Sequence, residues 1–448
     1  MAIRDIVVIS IILLAAPITL FSPYFGVLMW SWIAYFNPHR YTWGAALYFL
    51  EPALIIAIPT LIGTPFAERN SRIFTRETVV LAGLWFWMAF TTLYISFVPD
   101  FAGHVNTADL HLKQVSKILL MTFVTILLVT SKRKLRGLIL VILASFGFRA
   151  LLAAIFFFRT GGQYQIFGPP GTFLEDNNDF GLALNMTIPM FFFMARVEPK
   201  IWMRTGLRVL MVCAIICVIG TYSRGGMVGL AVVTLAIVAK SRQKVIGSVL
   251  VAIAVLCTVM FSTTGWKTRM TEFMQGNLDA SAIARIVAWE GAMNLVKAYP
   301  ITGGGFDVFT DEAVFPQYAP AGARGALYGQ GGRLHSSHSI YFGMLGEHGF
   351  VGLGLFLTLL GSSYASLQGL RRQAKTRSNL EWAVPYTHMF QVALLAYMAS
   401  GATLGRMYFD FFYQVIACVI ILGILAKRDL ELAMPELQPE ERLEAVAA

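Results

Sequence analysis

Apolar residues fall along this chain in long uninterrupted blocks. Blocks of bilayer length lie at about 45–63, 78–98, 113–130, 136–158, 180–195, 204–222, 225–240, 245–261, 338–362, 383–400 and 405–426. A helix rises about 1.5 Å per residue, so about twenty apolar residues cross the roughly 30 Å hydrocarbon core of a membrane. The first block, 5–36, is longer than one span and is broken by Pro17 and Pro23. It forms either one kinked helix with a re-entrant piece or two short helices. Counted once, it brings the total to twelve spans with both termini on one side. The pattern predicts an all-α polytopic membrane protein with about 12 transmembrane helices.

The polar positions between the blocks set the orientation. Basic residues gather in short connections: Arg69, Arg72 and Arg76; Lys132, Arg133, Lys134 and Arg136; Arg196, Lys200, Arg204 and Arg208. They recur at Lys240, Arg242 and Lys244, at Arg371, Arg372, Lys375 and Arg377, and at Lys427 and Arg428. Short basic loops stay in the cytoplasm, which assigns all of these to that side and both termini with them. The outward connections are then 37–44, 99–112, 159–179, the tight turn at Tyr222–Gly226, the long loop 262–337, and 401–404. The long loop holds six Lys/Arg and six Asp/Glu, and long loops cross the membrane despite their charge. It is the one outward piece large enough to fold, and the chemistry is expected in it. A helix capped by Asp279 or Ser281 is expected through Ile283, Ile286, Trp289 and Met293, ending at Pro300 and Gly303-Gly304-Gly305. The chain divides into an N-terminal membrane region (1–164), central membrane helices (165–261), the large loop (262–337), C-terminal membrane helices (338–426) and a cytoplasmic tail (427–448).

Composition agrees with this pattern. Hydrophobic residues make up 57% of the 448 positions and charged residues 13%, about half the share of a soluble domain. The net charge of +10 sits in the orienting loops, so it is no nucleic-acid footprint. The first block lacks a small-residue cleavage site and is expected to remain as a membrane segment, not a cleaved signal peptide. Cys213, Cys217, Cys257 and Cys418 all lie in apolar runs and are read as core packing.

Several outward residues are candidates for chemistry. In His335-Ser-Ser-His338, Ser336 or Ser337 is expected to cap a helix with His338 in its first turn. There the helix dipole keeps the imidazole neutral and able to accept a proton near neutral pH. The plainer reading is an interfacial histidine. Arg224, in Tyr222-Ser-Arg224-Gly-Gly226, stands at a helix start beside glycines that allow close approach of an anion. Arg285 lies four residues before Trp289. An arginine fork grips phosphate oxygens in pairs, although either residue could simply be solvated or snorkelling. Arg149, Glu347 and Asp410 are ionisable groups at unusual depth, with Arg406 near an outer end. Ion pairing is the plain expectation for Arg149 and Glu347. The segment Glu175-Asp176-Asn177-Asn178-Asp179 could bind sugar hydroxyls or a cation, or merely cap the next helix.

In order, Tyr222-Ser-Arg224-Gly-Gly226, Arg285-Ile-Val-Ala-Trp289-Glu, Gly303-Gly-Gly-Phe306 and His338-Ser-Ile-Tyr341 through Glu347-His-Gly349 resemble the bacterial O-antigen ligases and polymerases. The resemblance covers about 165–425. Those proteins usually carry Asn where this chain has Ser339. Asn37-Pro38-His39 and Glu175-Asp-Asn-Asn178 look like exosortase-associated O-glycosylation ligases. The resemblance implies an inverting, metal-independent glycosyltransferase without a cofactor in the bacterial inner membrane, its active site facing the periplasm. The donor would be a glycan on undecaprenyl pyrophosphate and the acceptor a hydroxyl of the lipid A-core of lipopolysaccharide. A protein hydroxyl or a growing polymer is the nearest alternative acceptor, and a lipid-linked glycan flippase is the rival of another class. His338 would be the general base and Arg224 and Arg285 the pyrophosphate clamp. His335, Arg149, Arg406, Tyr222 and Trp289 would complete the substrate site.

Overall fold

A computed structural model of the chain describes residues 3–41, 51–240, 280–328, 334 and 336–433. It is 78% helical, and no strand occurs among the described residues. In chain order the helices are α1 (Ile3–Phe21), α2 (Pro23–Phe36), α3 (Pro52–Gly63), α4 (Arg76–Ile95), α5 (Val105–Leu128) and α6 (Lys132–Arg159). There follow α7 (Asn177–Val197), α8 (Ile201–Gly220), α9 (Arg224–Lys240), α10 (Ala280–Ala298), α11 (Ile340–Gln373), α12 (Val384–Gly401) and α13 (Asp410–Leu432). Eight of these thirteen are long and apolar enough to cross a membrane: α1, α4, α5, α6, α7, α8, α11 and α13. The expected block 245–261 lies outside the described residues. α12 crosses the bundle centre but carries Thr387, His388 and Gln391, which lower its hydropathy.

Short polar residues start several of these helices. The hydroxyls of Thr75 and Ser131 accept from the third residue onward, Thr78 N–H at 3.2 Å and Lys134 N–H at 3.3 Å. Asp176 accepts from Asn178 N–H at 2.8 Å and starts α7. The core is built around α7, whose central residues from Phe180 to Ala195 are all buried. It packs against α8, α9 and α12.

The first block resolves into two helices. Pro23 has no N–H to donate, and the chain breaks at Ser22 and folds back. Ile12 and Ala15 of α1 meet Met29 and Ile33 of α2, with Ile56 between them. The Tyr24 hydroxyl donates to Lys134 O at the basic end, and α1 also touches the 38–41 turn at the other end. Ile3 therefore starts at the end opposite the basic loops, which corrects the expectation that both termini share one side. A single Arg4 is a weak orienting charge, and close packing against α2 and α3 outweighs it. At fourteen residues α2 is about 21 Å long, short of a bilayer core.

The basic connections do collect at one end. Lys132 pairs with Asp429 at 2.6 Å, Lys134 with Glu68 at 3.1 Å and Arg136 with Glu198 at 2.5 Å, while Arg72 pairs with Glu431. Cys213, Cys217 and Cys418 are buried free thiols.

Candidate active site

The opposite end holds a broken helix. Ser339 is the cap of α11, its hydroxyl accepting from Tyr341 N–H at 3.3 Å and Phe342 N–H at 3.4 Å. Ten residues later Gly349, at φ +67° and ψ −169°, interrupts the helix. The amides and carbonyls freed there meet the glycine turn after α10. Gly304 N–H donates to Gly346 O and Gly305 N–H to Glu347 O, both at 2.9 Å, and Phe350 N–H donates to Pro300 O at 2.9 Å. A Cβ on Gly303 would sit 2.5 Å from Gly346 O, and one on Gly349 would sit 2.2 Å from Ile301 O. Only glycine allows the two backbones to lie this close. Irregular backbone within a membrane helix survives when protein groups satisfy it, as they do here.

The described part of the long loop is therefore packed on the bundle. The Tyr299 hydroxyl donates to Asp100 at 2.5 Å, and the buried His104 ring joins Asp311 at 2.9 Å and Phe306 O at 2.7 Å. The phenol of Tyr299 is pushed up by its bond to the Asp100 carboxylate and by burial.

A cavity of 340 Å³ opens beside the break. His338 lines it with Ser336 and Ser337; Asp176 and Asp179 come from the α7 start, and Asp307 follows the glycine turn. His111 of α5, Glu347, and the 404–409 segment with Arg406 and Tyr408 close it. Five separate stretches of chain build this cavity, so its lining reaches beyond the long loop in which the chemistry is expected.

His338 itself sits one residue before the Ser339 cap, with φ +46°. It is outside the first helical turn, contrary to the expected cap at Ser336 or Ser337. Ser339 occupies the place where the resembling proteins carry Asn, and both residue types cap helices well. Trp289 secures the approach to it. The indole N–H donates to Ser337 O at 2.8 Å, and the ring stacks on Phe342 with centroids 5.0 Å apart.

Below His338 the Tyr408 hydroxyl donates to Glu347 Oε2 at 2.5 Å and lies 2.7 Å from His348 Nε2. His348 Nδ1 meets the Thr91 hydroxyl at 2.7 Å. Burial first, then the neighbouring Glu347 carboxylate, push the Tyr408 phenol far above its ordinary value, so it remains a donor. The ion pair expected for Glu347 is instead this tyrosine bond. Arg406 pairs with Asp179, and its own carbonyl accepts from the buried Tyr397 hydroxyl at 2.9 Å.

The remaining candidates surround this cavity. Arg224 is the first residue of α9, next to Gly225, which lies against Thr403. The hydroxyl of Ser223 accepts from Gly226 N–H at 2.9 Å and donates to Asn178 at 2.6 Å, tying that turn to the acidic segment. Tyr222, at φ +52°, donates to Gly162 O. Arg285 is on α10, one turn before Trp289. Neither Arg224, Arg285 nor Tyr222 belongs to the described lining. Arg149 is also outside it and donates to Phe36 O at 3.0 and 3.3 Å, holding the end of α2. His335 lies outside the described residues. Among the described residues, no three His, Cys, Asp or Glu side chains group to hold a metal ion. Sequence reasoning missed Tyr408, Asp307, His111 and His348. Only His348 carried a signal, as the neighbour of Glu347.

Residues 209–357, from α8 through the break in α11, match the O-antigen ligase family. The chain carries an O-antigen ligase domain. That match supports a membrane enzyme of the O-antigen ligase or polymerase kind, and the apolar helices suggest a multi-pass membrane protein. Residues 3–199 match a family of unknown function (DUF5935). No curated protein matches the sequence. The cavity joins both matched regions: the ligase domain supplies His338, Asp307 and Glu347, and the N-terminal region supplies His111, Asp176 and Asp179. Arg406 and Tyr408 come from beyond either match.

Proposed function

We propose that this enzyme transfers a glycan from undecaprenyl pyrophosphate to an acceptor hydroxyl on the periplasmic face of a bacterial inner membrane. The acceptor in this reading is the lipid A-core of lipopolysaccharide. The observation that carries it is a histidine of the ligase domain, His338, in a polar cavity at the end of the bundle opposite the basic loops. His338 takes the proton of the acceptor hydroxyl, whose oxygen attacks the anomeric carbon. The bond from that carbon to the pyrophosphate oxygen breaks, and the leaving group departs with its charge met by Arg224 and Arg285. One displacement inverts the anomeric centre. Trp289 and Tyr222 hold the two segments on which these groups sit. The Arg406–Asp179 pair fixes the wall facing His338. Asp176 and Asp307 offer acceptors for sugar hydroxyls.

The test is transfer by purified protein from a defined lipid-pyrophosphate glycan, with lipid A-core, a protein substrate or a second donor molecule as acceptor. Product on lipid A-core, undiminished by chelator, is expected. Arg224→Lys and Arg285→Lys should each transfer poorly, since an ammonium cannot grip two oxygens. Product on protein or on the donor alone would move the acceptor, and chelator sensitivity restored by a divalent cation would overturn the metal-free step. No product with any acceptor would overturn the whole reading.

A further inference from the structure

A second cavity lies at the other end. It measures 1170 Å³ and is lined by Arg196, Arg204, Arg208, Lys240, Arg371 and Lys375. These arrive from the end of α7, the first half of α8, the last residue of α9 and the end of α11. Glu381 is the only carboxylate in the described lining.

Elsewhere at this end Lys132, Lys134 and Arg136 are each paired with a carboxylate. Arg204, Arg208, Lys240, Arg371 and Lys375 form no ion pair among the described residues. The nearby carboxylate of Glu198 is engaged by Arg136, and only its main-chain oxygen accepts from Arg204, at 3.0 Å. Instead the cations act on each other. Arg208 bears on Arg196, Arg371 on Lys240, and Arg371, Lys240 and Arg196 all bear on the His388 ring of α12. His388 lines the cavity, and its Nε2 atom is shielded from solvent with no hydrogen-bond partner. Like charges held together outside bulk water repel strongly, and an anion among them relieves that repulsion.

The rest of the wall is apolar. The Arg196 guanidinium lies 4.4 Å over the Phe192 ring, and the His388 ring is 5.5 Å from Phe193. Met211 and Val212 extend this surface along α8 toward the bilayer depth. A soluble anion has no use for such a wall, and one phosphate fills little of the volume.

We propose that this cavity binds an anionic membrane lipid whose headgroup carries two phosphates, with its chains along the Phe192–Val212 wall. Basic pockets between membrane helices commonly take such headgroups. The site is independent of the transfer chemistry and faces the opposite leaflet from His338.

The test is native mass spectrometry and thermal unfolding of the full chain in detergent, with cardiolipin, phosphatidylglycerol, phosphatidylethanolamine or inorganic pyrophosphate added. Cardiolipin should be retained at least tenfold more tightly than the single-phosphate lipids and should raise the unfolding temperature. The triple variant Arg208→Gln, Arg371→Gln, Lys375→Gln should lose that preference at least tenfold. A control removing equal charge from the same end outside the cavity, Arg69→Gln, Arg133→Gln, Lys427→Gln, should keep it. Equal loss in the control would show diffuse attraction and overturn the site. Full displacement of cardiolipin by micromolar pyrophosphate, or equal binding of phosphatidylglycerol, would overturn the two-phosphate lipid. Lys375→Gln alone repeats the comparison with minimal risk to folding.

Discussion

The two ends of the bundle use charge in opposite ways. At the basic end the side chains are long cations: Lys132, Lys134 and Arg136 are paired with carboxylates, while Arg204, Arg208, Lys240, Arg371 and Lys375 at the large cavity have no ion pair among the described residues. At the other end the polar groups are carboxylates, hydroxyls and histidines hydrogen-bonded to one another, beside backbone that has left its helix and pairs with the glycine turn. For orienting the chain the first end needs only charge, which many positions can supply, whereas the lipid proposed for its cavity needs particular cations. The second needs geometry, and each group depends on one neighbour. Substitutions should therefore be tolerated at the basic end outside its cavity and costly at the His338 end.

The sharpest way to break this comparison is topological. Alkaline-phosphatase fusions should be active at residue 310 and silent at residue 133, an all-or-none difference that follows from the basic loops. The reverse pattern would exchange the roles of the two ends.

Next in size is His338→Ala. A positioned base contributes about 10²–10⁴-fold, so transfer should fall by that order while insertion and unfolding temperature hold. Stability should be spared because Ser339, not His338, caps α11. Transfer by the parent protein should fall toward acid pH, because a protonated imidazole can no longer accept the acceptor's proton. Activity that stays level as pH falls would remove His338 as the base.

Gly349→Ala tests the broken helix. Alanine must adopt φ +67° with its Cβ 2.2 Å from Ile301 O, and both cannot be accommodated without moving the glycine turn. Positive φ alone costs about 1–3 kcal/mol, so the unfolding temperature should drop clearly, with transfer lost as well. A variant of parental stability would mean that the close approach does not hold the site together.

Tyr408→Phe removes one donor from Glu347 and a partner from His348. Leaving a buried group unsatisfied costs about 1–3 kcal/mol, and the loss should exceed that of Tyr318→Phe, at a tyrosine only partly buried. Smallest of all, Ser339→Ala should cost about 1 kcal/mol by thermal unfolding, and Ser339→Asn should be close to neutral.

Much of the fold was legible in the sequence because a bilayer demands long apolar blocks and short basic loops orient them. The α10 helix and its glycine stop were also legible, since Pro300 and Gly303–Gly305 end a helix by their own stereochemistry. The α1–α2 hairpin was left open. Pro23 announces a break, yet only the packing of Ile12, Ala15, Met29 and Ile33 around Ile56 decides that the chain turns back. The ligase motifs named His338, Arg224 and Arg285, but not the neighbours that position His338. Its helix cap was misplaced by two or three residues because Ser336, Ser337 and Ser339 are equally good caps locally. What selects Ser339 is Trp289, which takes the Ser337 carbonyl from a helix about fifty residues earlier.

The sequence by itself thus determined what each segment is: which stretches enter the membrane, which side holds the cations, which residue types could grip phosphate or accept a proton. Those properties follow from hydropathy, charge and side-chain chemistry, which act locally. Only the tertiary structure decided which segments meet. Glu347 finds Tyr408 sixty-one positions away, Asp179 finds Arg406 at a separation of 227, and Gly303–Gly305 find the break at Gly349. Each of these contacts satisfies a polar group that is wholly or largely buried. Partners are then fixed by whichever helices pack side by side, and no local pattern encodes that.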